Sequence, residues 1–214
     1  MANIDYKTFF SAGNETWKTA IDRYRSFLNA NMPDYFPQKN YPYTFAENTA
    51  YTFHYSNKIE ETYLSDFTTQ TQIKVPADLK YLLSVYGTFY IGNNLLKIFD
   101  EEENIFLTLG ILLEKFGYTD ILQDVGDGML KSLNSFYYFF GLSFPQADET
   151  SFLYFNKAGN YGKISLSKDN KQMALRKTLP SMFNGSIDKY TLDNLISNQI
   201  DRIITNALTV RGYI

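Results

Sequence analysis

The segment YTLDNLISNQIDRIITNAL places Leu192, Leu195, Ile196, Gln199, Ile200, Ile203 and Ile204 at helical spacing. A stripe of this kind marks one face of an amphipathic helix, and it is stable only when another layer covers it. The chain must therefore supply a matching apolar surface. Three stretches upstream can do so. SFYYFFGLSF, TSFLYFN and YGKISLS are short, aromatic or β-branched, and read as strands over 136–142, 151–156 and 161–166. The last two are joined by KAGN, a short Gly- and Asn-containing connection that predicts an antiparallel hairpin. A long amphipathic helix beside an aromatic hairpin implies an α+β fold, an antiparallel sheet packed by several helices.

Other segments repeat the two periodicities. NETWKTAIDRYRSFLNA puts Trp17, Ala20, Ile21, Tyr24, Phe27 and Leu28 on one helical face, with Lys18, Asp22, Arg23 and Arg25 largely off it. Asn14 is the candidate cap, and Pro33 and Pro37 lie beyond the end. VPADLKYLLSVYG starts a short helix near Pro76 and stops it at Gly87, with Leu79, Leu82, Leu83 and Tyr86 on the apolar face. A turn at Gly92, Asn93 and Asn94 separates candidate strands at 88–91 and 95–99. DEEENIFLTLGILLEKFGY predicts one helix from the acidic residues to Gly117. Tyr51, Phe53 and Tyr55 alternate as in a strand, and TYLSDFTTQTQIKV is the candidate for a second. The expected organisation is one domain over 1–214, with 31–74 as a candidate inserted or elaborated region.

With 214 residues, 44% of them apolar, the chain can bury a large core without covalent staples. It has no cysteine, which excludes disulfides and thiolate chemistry within the chain. The net charge of -3, with Lys and Arg scattered mostly singly, argues against direct nucleic-acid binding. The first residues, MANIDYKTFF, lack the basic and apolar regions of a signal peptide, and the longest apolar stretches are shorter than the roughly 20 residues of a membrane span. The expectation is a cytoplasmic protein with no membrane contact.

Catalytic signals are weak. His54 is the one histidine, so it has no histidine partner for a metal or a relay within the chain. DVGDG at 124–128 fails the calcium-loop pattern, since position 3 is Gly126 and position 12 is Ser135. It reads as a turn. FNGSID lacks the second glycine of a nucleophile elbow, and no phosphate-binding glycine loop is present. The charge cluster is Asp100, Glu101, Glu102 and Glu103. It reads either as a helix start complementing the dipole or as a docking surface for a basic partner.

Val75, Pro76, Leu79, Lys80, Leu82, Leu83 and Gly87 resemble a segment near the start of the SUKH superfamily domain. Tyr154, Phe155, Gly159, Gly162, Lys163 and Ile164 are similar to that family's strand–turn–strand, and YTLDNLISNQIDRII resembles its closing helix. The resemblance spans 70–208 with gaps. It implies a non-enzymatic protein of the immunity type, which binds a toxin, often a nuclease, and blocks it. No catalytic residue, metal or cofactor is expected, and Asp100, Glu101, Glu102 and Glu103 are the expected partner-binding residues. Two alternatives stand beside it: an enzyme with an unrecognised carboxylate acid–base site, and a regulatory scaffold module.

Overall fold

The computed structural model describes residues 6–11, 13–31, 51, 53–55, 58–92, 95–100, 104–146, 149–167, 178–182, 184–185 and 189–210. A six-stranded antiparallel sheet lies at its centre, with the strands adjacent in chain order from β1 to β6. They are β1 (Phe53–Tyr55), β2 (Phe89–Ile91), β3 (Leu96–Ile98), β4 (Tyr137–Gln146), β5 (Glu149–Asn156) and β6 (Tyr161–Ser167). The three strands expected over 136–166 are all present and pair consecutively. The fold is α+β.

Helices cover both faces. On one side lie α1 (Trp17–Asn31), α2 (Glu61–Thr71), α3 (Ala77–Tyr86) and the last helix, α7 (Leu192–Val210). Their apolar faces meet Phe53, Phe89, Leu96, Phe140, Leu153 and Phe155 in one buried cluster. On the other side lie α4 (Leu109–Lys115), α5 (Thr119–Val125) and α6 (Asp127–Asn134). They pack with a helical turn at 178–182 over Tyr137, Phe139, Phe152, Tyr154 and Ile164. Alternate strand residues therefore feed opposite layers. A register shift between Phe139 and Gly141 changes that alternation, so that Leu142 joins Phe139 in the second layer while Phe140 stays in the first.

The stripe residues Trp17, Leu83, Ile196 and Ile200 are all buried. The α1 and α7 helices are also joined at their starts, where the Asp193 carboxylate accepts the Trp17 N–H at 2.6 Å. Thr16 caps α1 by accepting the Thr19 N–H at 3.2 Å. Asn14, the cap expected from sequence, instead has φ 49° two residues before Thr16. α3 begins one residue after Pro76, whose carbonyl accepts the Lys80 N–H at 2.9 Å, and ends at Gly87 with φ 68° and ψ -150°. That conformation is essentially restricted to glycine.

Two expectations are corrected. TYLSDFTTQTQIKV holds no second strand over its first ten residues, which belong to α2. The hydroxyls of Thr68, Thr69 and Thr71 donate back to the carbonyls of Leu64, Ser65 and Phe67, as helical threonines can. Leu64 alone is fully buried there, so the helix needs only a narrow apolar contact. The second correction is at DEEENIFLTLGILLEKFGY, where α4 starts at Leu109. Asn104 has φ 63°, and Leu107 exchanges backbone hydrogen bonds with Phe139 at 2.9 and 2.8 Å. Pairing with the sheet removes Leu107 from the helix. At DVGDG the chain turns between two helices, with Gly126 at φ 69°. Pro33, Pro37, Asn93, Asn94 and most of 31–52 lie outside the described residues.

Candidate functional site

The acidic run begins where β3 ends. Asp100 Oδ2 lies 3.7 Å from Lys97 Nζ, and the Asp100 side chain is 36% exposed. Glu101, Glu102 and Glu103 lie outside the described residues. Since α4 starts at Leu109 and carries no acidic residue in its first turn, the Asp100 charge does not complement that helix. Dipole effects fade within one turn, and Asp100 stands nine positions before it. The helix-start account of this cluster therefore fails for Asp100. The segment leads into the α4–α6 layer, which exposes Ile111, Met129 and, just beyond α6, Phe136.

Lys97 and Asp100 sit at one end of a polar row on the sheet. His54, Tyr90 and Lys97 stand directly opposite one another on β1, β2 and β3. Their neighbours Phe53, Phe89, Ile91, Leu96 and Ile98 point the other way, into the first core cluster. The His54 ring stacks on Tyr90 with centroids 4.6 Å apart and planes 19° off parallel. Burial lowers the His54 imidazole from its usual range. Burial, and then Asp100, raise the Tyr90 phenol. Both shifts favour the uncharged ring. A weakened base beside a weakened acid is a poor pair for proton transfer near neutral pH.

A second polar group ties the two long helices together. Arg23, on α1, donates through Nε and Nη2 to the Glu15 carboxylate and through Nη1 to the Phe9 carbonyl, and the same Nη1 lies 2.8 Å from Asp201 of α7. Asp201 also accepts the Ser11 N–H at 3.1 Å, and Ser197 donates to Glu15. The Arg23 and Glu15 side chains are only 9% and 10% exposed. Burial raises the Glu15 carboxyl, but hydrogen bonds from Arg23 and Ser197 outweigh it and hold the group below its usual range. Here two carboxylates converge on a cation. That is an ion-pair clamp and not the like-charge pair that carboxylate acid–base catalysis uses. Arg23 reads in the sequence as a residue off the apolar stripe, and nothing local announces partners at Glu15 and Asp201.

Among the described residues, no group of three or more His, Asp or Glu could hold a metal ion, and no helix is long and apolar enough to cross a membrane. No protein-family model matches the chain, and comparison with curated proteins and with solved structures gives no match.

Proposed function

We propose that this chain is a non-enzymatic binding protein of the immunity type, which neutralises a toxin by covering its working surface. The observation that carries the reading is the position of Asp100. It follows the interior strand β3, with its side chain 36% exposed, and eight residues of chain separate it from the helix that would otherwise account for it. A run of acidic residues in the sequence, beginning at a partly exposed Asp100, suits a basic surface, such as that of a nuclease, and can steer its approach. The segments that carry the SUKH resemblance also meet in space. Tyr161, on the β6 strand of the hairpin, donates to Asp78 of α3 at 2.6 Å, and both elements share a core cluster with α7. A contact of roughly 1,600 Å² would be enough for a stable complex.

The test is protection. The chain is produced together with the protein encoded directly upstream of it, and growth and complex formation are measured. Restored growth with a stoichiometric complex is the expected result. Toxicity that persists, with no complex by size-exclusion chromatography, overturns the reading.

A further inference from the structure

A cleft of about 360 Å³ opens where the edge strand β6 meets α7, lined by Lys163, Tyr190, Leu195, Asn198, Gln199 and Arg202. That volume lies within the range of small-molecule sites. The helix supplies Leu195, Asn198, Gln199 and Arg202 at positions i, i+3, i+4 and i+7, which share one face. Tyr190 continues the sheet beyond β6, its N–H donating to the Tyr161 carbonyl at 3.2 Å. Lys163 projects from the same face of β6 as Tyr161, and its Nζ lies 6.0 Å from the centre of the Tyr190 ring.

The polar groups of this cleft are poorly satisfied from within. Gln199 is 2% exposed, and among the described residues its amide has no hydrogen-bond partner. The amide is not sealed from solvent, so water or a ligand in the cleft can complete it. Lys163 and Arg202 repel one another, and among the described residues neither has a carboxylate within ion-pair distance. Burial lowers the Lys163 ammonium, Arg202 lowers it further, and Glu149 opposes both. The acidic residue on the lining, Asp201, is already held by Arg23 and the Ser11 N–H. Two cations and an amide thus face one small volume that lacks a committed acceptor.

We infer that this cleft binds a small oxyanion, the phosphate or carboxylate group of a small molecule. Lys163 and Arg202 neutralise its charge, and Gln199 donates to one of its oxygens. Arg offers a planar fork suited to such oxygens, and Lys a point charge. Tyr190 and Leu195 form the apolar wall for the rest of the ligand. The inference stands apart from the toxin-binding reading, since Asp100 follows β3, three strands across the sheet from β6.

The experiment is an NMR titration of the full chain with inorganic phosphate and, separately, with acetate, at ionic strength held constant with chloride. Saturable amide shifts confined to residues around Lys163, Tyr190 and 198–202 are expected. Arg202 lines the cleft but is exposed, so Arg202→Gln should fold normally while weakening binding by about tenfold, the loss of one charge-assisted hydrogen bond. Lys163→Met should do the same, and Lys157→Gln, in the hairpin turn, should not. Tighter binding of phosphate assigns the phosphate class, and tighter binding of acetate the carboxylate class. Shifts that do not saturate for either ion, or that survive unchanged in Arg202→Gln, overturn the site.

Discussion

Side chains with no room to move set the sharpest expectations at the scale of the residue. Ile200 is fully buried on α7, among residues of the first core cluster. Ile200→Ala should cost about 2–5 kcal/mol in urea denaturation, the lost transfer energy plus a cavity. A loss below about 0.5 kcal/mol, the size of a surface effect, would contradict that packing. Gly162 is a different constraint. A Cβ there would fall inside the Tyr154 ring, which is itself fully buried. Gly162→Ala should lower stability by about 1–3 kcal/mol through overpacking. Gly128, in α6, has open space around its Cβ position, so Gly128→Ala should raise the melting temperature as a better helix former. The pair of variants separates steric cost from any general intolerance of alanine. His54 adds a pH dependence. Its folded pKa lies below the unfolded value of 6.5, so between the two the unfolded chain binds more protons. Its contribution is fully present above pH 6.5 and is lost as pH falls through the folded pKa. Glu15 acts in the same direction at lower pH, since its folded pKa is also depressed. In His54→Gln the stability profile just below pH 6.5 should flatten while the more acid limb from Glu15 remains. An unchanged profile would show that His54 does not titrate with folding.

At the scale of the element, α1 and α7 owe their mutual placement to polar contacts as well as apolar ones. Asp193 holds the first N–H of α1, and Asp201 and Glu15 hold Arg23. Removing the cation alone leaves a carboxylate at 10% exposure without its partner. Arg23→Met should therefore cost about 3 kcal/mol, as breaking one side of a buried pair does. The combination of Arg23→Met with Glu15→Gln and Asp201→Asn should recover much of the loss. Urea denaturation of the single and triple variants measures the difference. If the triple variant is no better than the single one, Arg23 acts through its packing and not through its charge. Elements also show where local pattern misleads. Thr-rich TYLSDFTTQT favours a strand by residue type, but it folds as α2 because Leu64 meets the core and the threonine hydroxyls find backbone carbonyls within the helix. The apolar pattern from Ile105 to Phe116 suits one helix, but Leu107 is taken by Phe139.

At the scale of the whole molecule, the sheet is a partition between two cores. Helices α1, α2, α3 and α7 seal one face, and α4 to α6 the other. Asp100, the first residue of the acidic run, follows β3 and is partly exposed. Changing Glu101, Glu102 and Glu103 together to Gln preserves local backbone propensity. The association rate with the partner proposed above should fall and lose its salt dependence, with dissociation less affected. Stopped-flow mixing at low and high salt measures both. An association rate unchanged at low salt would remove the acidic run from the interface.

Periodicity along the chain determined most of what became helix and strand. The stripes through Trp17, Leu83, Ile196 and Ile200 and the aromatic hairpin at 151–166 are properties of neighbours a few residues apart, so they survive in the sequence as pattern. The α+β class followed from them. What only the tertiary structure decided are pairings between residues far apart in the chain. Leu107 leaves its helix because Phe139 offers backbone partners 32 positions on. Arg23 becomes a buried clamp because α7 brings Asp201 to it. Gln199 sits in an apolar stripe, the one visible sign of the β6–α7 cleft, but its meaning depends on Lys163 arriving from the sheet. Spacing within one segment cannot encode which distant charge or carbonyl completes a buried polar group, because that is fixed by how layers stack.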